Sequence, residues 1–214
     1  MVNRLQEHLE AIYGFQCEAR AEAFLVQDPA LALALGGTGR SEEELLVGQG
    51  EDGLELALCF APGLLARLEA YEGGPVQRLL ERELDGYCQL AEGVSHFLYL
   101  ARSAAHERRV SLLELEAQAE VDKFAVCLLH RWGDGVERWA EELLGRLFDR
   151  VRYREQLAPE ERWRYQEANR VSRAYCRRLM GHVSARRLES LLRELRYAYR
   201  LGAGAKLDYF ACGT

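Results

Sequence analysis

Residues 76–105 read VQRLLERELDGYCQLAEGVSHFLYLARSAA, and the fold turns on how this stretch is read. Val76, Leu80, Leu84, Tyr87, Ala91, Val94, Leu98, Ala101 and Ala105 recur at steps of three and four, the period that keeps one face of an α-helix apolar. The spacing predicts one long helix of about eight turns. Gly73-Gly74-Pro75 opens it, since a proline in a first turn gives up only an N–H that has no helical partner.

Downstream the pattern stays helical. Ser111 followed by Glu114 is a capping box, and the helix it starts runs to about Arg131, before Gly133-Asp134-Gly135. Residues 121–129 are apolar almost all round, which makes this helix central. Further helices are expected from about Gly135 to Arg150, from 160 to about 180 after a break near Pro159, and from Ser184 to about Arg200, with Gly181 reading as an interruption.

Upstream, residues 2–13 form a short helix with Leu5, Leu9 and Ile12 inward, Asn3 as candidate cap and Gly14 just past its end. Residues 20–26 and Asp28-Pro29 read as a strand and a short helix, and Gly36-Gly37-Thr38-Gly39 as a loop. Leu54, Leu56, Leu58 and Phe60 alternate with Glu55, Ala57 and Cys59, and Gly50-Glu51-Asp52-Gly53 separates them from the run Glu43 to Gln49, so a hairpin is expected. So few strands are marginal in water and must lean on helices. The fold class is therefore α+β and predominantly α, a small N-terminal hairpin or sheet packed on a bundle of about five helices. Residues 1–74 form a small α+β region and 75–214 the bundle, together one structural unit.

The composition fits a folded globular chain: 214 residues, 49% hydrophobic, 29% charged, four prolines. Apolar runs such as Phe124 to Leu129 fall far short of the roughly 20 residues that cross a bilayer, and Met1-Val2-Asn3-Arg4 does not open a secretory signal, so no membrane contact and a cytoplasmic location are expected. Cys17, Cys59, Cys88, Cys127, Cys176 and Cys212 are too dispersed for a local thiolate metal knot or a CxxC pair. Charge is unevenly spread. Residues 1–149 carry 13 basic and 27 acidic residues, a net of −14, whereas residues 150–214 carry 15 and 7, a net of +8. Lys123 and Lys206 are the chain's two lysines, every other basic residue being arginine.

Two polar constellations stand out. On the long helix Asp85, Gln89, Glu92, His96, Tyr99 and Ser103 form a second stripe, which reads first as a solvated face, although Phe97 and Leu100 flank His96. On the next helix Glu116, Glu120, Lys123, Cys127 and His130 follow one line, with Asp122 adjacent. If the two helices run antiparallel about residues 108 and 109, His96 meets the level of Glu120 to Asp122. That arrangement would let His96, Glu120 and Lys123 serve as a catalytic acid/base group, or Glu92, His96, Glu116 and Glu120 as ligands of a divalent metal. A polar network that fixes helix register is the structural alternative. Glu92-Gly-Val-Ser-His96 is one residue longer than the Glu-x-x-His of di-iron bundles, and HExxH, GxSxG and GxxxxGK[ST] do not occur.

The basic end interleaves arginine with aromatics, and Arg152, Arg154, Arg164, Arg196 and Arg200 are its candidate nucleic-acid contacts, unless they pair with the acids of the other region. Arg177 and His182 enclose four residues, a spacing that arises easily in so arginine-rich a segment. No motif specifies a reaction. The sequence therefore points to a non-enzymatic interaction or regulatory protein that binds a protein partner or a second copy of itself, with no cofactor expected beyond a possible divalent metal.

Overall fold

The computed structural model describes residues 1–39, 41–50 and 53–212. Its helices are α1 (Val2–Tyr13), α2 (Pro29–Ala34), α3 (Leu64–Glu69), α4 (Val76–Arg82), α5 (Leu84–Ala105), α6 (Leu112–Leu129), α7 (Val136–Leu144), α8 (Pro159–Ser184), α9 (Leu188–Arg200) and α10 (Ala203–Ala211). The strands are β1 (Leu25–Val26), β2 (Glu43–Gly50) and β3 (Gly53–Phe60). The fold is α+β and predominantly α.

The described residues gather into two compact units. Unit 1 holds Met1–Ala11 and Phe15–Arg109, and unit 2 holds Ile12–Gly14 and Val110–Thr214. Residue 74, where the sequence changes from mixed to helical character, lies inside unit 1.

In unit 1 the sheet order is β1-β3-β2, with β1 parallel and β2 antiparallel to β3. Gly50 pairs with Gly53 and Glu43 with Phe60, the register expected of a hairpin; Glu51 and Asp52 of its turn lie outside the described residues. The sheet leans on α5, where a Cβ on Gly93 would stand only 2.8 Å from Phe60 Cε1 and 3.0 Å from Leu58 Cδ1. A glycine is thus needed for this close approach of strand to helix. Leu58, Leu64, Leu68, Leu80, Leu90 and Phe97 are fully buried in this unit.

The expected eight-turn helix is two helices. Glu83, at φ −133° and ψ 34°, separates α4 from α5, yet Leu80 and Leu84 on either side are both buried. Apolar periodicity reports which face is covered, and a chain that bends between two covered faces keeps the same pattern. The stripe from Gln89 to Ser103 also departs from a solvated face. Asp85 is exposed and Gln89 and Glu92 are half-buried, but His96, Tyr99 and Ser103 are buried.

In unit 2, α6 is central, with every residue from Val121 to Leu128 buried. Ser111 caps it by accepting the Glu114 N–H at 3.1 Å. α6 packs along α8, and Ser172 on α8 donates to Ala117 O at 2.9 Å, a small hydroxyl that allows close contact. Trp139 on α7 donates to Cys127 O at 2.9 Å. Helix α8 does not stop at Gly181 but runs on to Ser184, because the chain reverses only at Arg186, which adopts φ +53°. A left-handed residue other than glycine is strained. Here the guanidinium is held by Glu137 at 2.6 and 3.1 Å and by Gly133 O at 2.6 Å. The tail after Gly202 is helical and returns Lys206 and Phe210 to the interior.

Candidate functional site

A buried polar network lies in unit 2, around α6. Lys206, fully buried, donates from Nζ to Gln118 Oε1 at 2.6 Å and to Tyr199 O at 3.2 Å. Gln118 in turn donates from Nε2 to Asp122 Oδ1 at 2.8 Å and to Tyr13 Oη at 3.1 Å. Tyr13 donates its own proton to Asp122 Oδ1 and stacks on Tyr199, with ring centroids 4.0 Å apart. The Lys206 ammonium also sits 5.1 Å from the centre of the Tyr199 ring. Burial, then the Asp122 charge and hydrogen bond, push the Tyr13 phenol well above its ordinary range, so it stays a donor at any physiological pH.

Helical spacing builds this network. Gln118 and Asp122 are one turn apart on α6, Tyr13 is the last residue of α1, and Lys206 enters from α10. Buried polar groups must find partners, and here an amide bridges an ammonium to a carboxylate, giving each a neighbour. Sequence reading named Asp122 only as adjacent and missed Tyr13 and Gln118. The signal for Lys206 was present in the scarcity of lysine, for both lysines of the chain prove to be buried.

Of the expected acid/base group, Glu120 and Lys123 meet within unit 2 at 2.9 Å, one turn apart on α6. Half-buried Tyr153 lies in their field; burial and the Glu120 charge push its phenol up, and Lys123 opposes them. The buried Cys176 thiol is also pushed well up, by burial first and then by the charges of Glu120 and Asp122, which makes it a poor nucleophile. Glu116, expected as a metal ligand, has Arg164 at 3.7 Å as a neighbour in unit 2.

His96 belongs to unit 1. It is buried, and its Nδ1 stands 3.5 Å from Oε1 of Glu43, the first residue of β2. Glu92 lies one turn before it on α5, and the carboxylate and imidazole offer ligand atoms within 4.8 Å of each other, donor types that could hold a metal ion. The Glu43 neighbour is not legible in the sequence, because it depends on which end of the hairpin lies over α5.

The nucleic-acid candidates divide. Arg152, Arg154 and Arg200 are exposed, while Arg164 faces Glu116 and Arg196 donates from Nε to Ile12 O at 2.9 Å. Trp163 and Tyr197 are exposed aromatics near them in sequence.

Two clefts lie in unit 1, one of about 180 Å³ lined by Leu25, Phe60, Pro62, Leu65 and Glu69, the other lined by Tyr71, Glu72, Pro75 and Arg78. Neither is lined by His96, Glu120, Lys123 or Lys206. Among the described residues, no helix is long and apolar enough to cross a membrane.

No protein-family model, no curated protein and no solved structure matches this chain.

Proposed function

We propose that this is a non-enzymatic cytoplasmic interaction protein that associates with a second copy of itself through the exposed end of its hairpin. The observation that carries the reading is that several large apolar side chains left exposed fall in one stretch of the sequence, two of them on the hairpin. Leu31, Leu33, Leu35, Val47 and Leu54, each 45–59% exposed, all fall between residues 31 and 54. Exposed apolar side chains favour an interaction surface, because leaving them in water forfeits burial of about 25 cal/mol per Å².

Strand β2 lies at the edge of the sheet and contains neither lysine nor proline, the residues that commonly guard an edge. Its pattern suits a copy of itself. A second β2 running antiparallel about Leu46 sets Leu45 opposite Val47, Glu44 opposite Gly48 and Glu43 opposite Gln49, so no carboxylate faces another. The six unbridged cysteines support a reducing, cytoplasmic setting.

The test is mass by light scattering across concentration. A dimer is expected, and Val47→Lys should return it to monomer with its circular-dichroism spectrum unchanged and its melting temperature no longer dependent on concentration. A wild-type chain that stays monomeric up to its solubility limit overturns the reading. A dimer that dissociates at about 0.5 M salt, where charges are screened over a few ångströms, would instead be held by the oppositely charged ends of the chain.

A second reading is an ion-binding role for α5, with Glu92 and His96 as donors to a divalent metal. The buried imidazole beside Glu43 favours it.

A further inference from the structure

His96 is flanked in unit 1 by two carboxylates in different positions. Glu92 shares its helix face, and Glu43 arrives from the sheet. The route by which Glu43 arrives is explicit. Gly93 admits Phe60 against α5, Phe60 is the register partner of Glu43, and this pairing brings the start of β2 over the His96 ring.

Glu43 Oε1 faces Nδ1 at 3.5 Å, and both side chains are largely withdrawn from solvent. The other oxygen, Oε2, is buried and accepts no hydrogen bond among the described residues. An ionised carboxylate can only accept, so a neutral imidazole beside it is stabilised with its single proton on Nδ1. That leaves the lone pair on Nε2. Zinc binds nitrogen at about 2.0–2.1 Å and carboxylate oxygen at about 2.0–2.2 Å in a tetrahedral arrangement, so two donors on one ion stand roughly 3.4 Å apart. The 4.8 Å limit on the Glu92 and His96 donors leaves a short closing movement, within reach of the half-buried Glu92 side chain.

Resting on the reading of an ion at α5, we propose that Glu43 is a positioning residue that holds the proton of His96 on Nδ1, so that Nε2 is the nitrogen left to bind a divalent ion such as Zn²⁺ together with Glu92. Glu43 is then an outer carboxylate in a carboxylate–histidine–metal relay, and not itself a ligand. Such partners orient the ring and raise its basicity, and their loss weakens metal binding by about 10–100-fold.

The experiment uses the full chain with Zn²⁺ as the probe, combining titration calorimetry with long-range ¹H–¹⁵N spectra of the imidazoles, His96 being assigned by its loss in His96→Asn. Before zinc, His96 should carry its proton on Nδ1; with zinc, the Nε2 resonance should shift. Glu43→Leu should move the proton toward Nε2 and weaken binding by about 10–100-fold, and Glu43→Asp should restore part of the loss. Glu43→Gln, which keeps an acceptor oxygen, serves if the leucine variant does not fold; it should retain the Nδ1 proton and bind less tightly. If wild-type protein binds no zinc, the ion reading fails and this inference with it. If zinc binding depends on His96 but not on Glu43, or the ion sits on Nδ1, the ion reading stands and the role of Glu43 is overturned.

Discussion

Tyr13, the last residue of α1, donates its hydroxyl proton to Asp122 in the middle of α6, 109 residues later in the chain. One buried hydrogen bond thus joins two residues of unit 2 that stand far apart in sequence. The same phenol oxygen accepts from Gln118, so a single hydroxyl serves two buried groups.

Tyr13→Phe should therefore cost more than an ordinary hydrogen bond. The ring and its stack on Tyr199 are retained, but Asp122 loses a donor and Gln118 an acceptor in the interior. A loss of about 1–3 kcal/mol is expected from urea unfolding, the range for removing one partner of a buried, charge-assisted hydrogen bond. A loss below about 0.5 kcal/mol, the level of a neutral surface change, would show that the bond carries little.

Lys206→Met tests the other end of the network. Methionine nearly matches the lysine stem in length and fills the same space, yet it supplies no proton to Gln118 Oε1 or Tyr199 O. Destabilisation of about 1–3 kcal/mol is expected, and Lys206→Met combined with Gln118→Leu should cost less than the sum of the two singles, because the two act through one contact. Additive costs in that cycle would argue against coupling.

Gly93→Ala probes the seat of the sheet on α5. The new methyl would meet the Phe60 ring at 2.8–2.9 Å and Leu58 at 3.0 Å, and neither is the loose end of a flexible side chain. Overpacking of this kind costs about 1–3 kcal/mol, and hydrogen exchange should show β3 amides losing protection before those of α8. Alanine that is neutral or stabilising, as its helix propensity alone would have it, would contradict the contact.

Tyr209 should titrate late. Burial, followed by its 2.7 Å hydrogen bond to Glu194 and that carboxylate's charge, pushes its phenol up to about 12, while Arg178 pulls the other way. A raised folded value means that the linked stability is intact below the unfolded value of 10.0 and is lost as pH climbs through about 12. The difference in phenolate absorbance between wild type and Tyr209→Phe should have its midpoint near 12. A midpoint near 10 would remove the Glu194 contact from solution.

The sequence alone was enough for whatever depends on near neighbours in the chain. The Ser111 cap, the Gly14 that follows α1 and the β2–β3 hairpin were all legible there, since caps, turns and alternation act within a few residues. So was the central place of α6, whose residues 121–129 have no polar side wide enough to face water. Half of the unit 1 pair was legible as well, because Glu92 and His96 sit one helical turn apart.

Only the tertiary structure decided which partners the buried charges have. Nothing local pairs His96 with Glu43 or Lys206 with Gln118, for those neighbours are set by which strand lies over α5 and by where α10 returns. The division of one apolar stripe into α4 and α5 belongs to the same class, since a bend that keeps both faces covered leaves the periodicity unchanged. Hydrophobic pattern determines which side of an element is hidden; desolvation of the polar groups trapped there then demands a partner, and the chain's path supplies it.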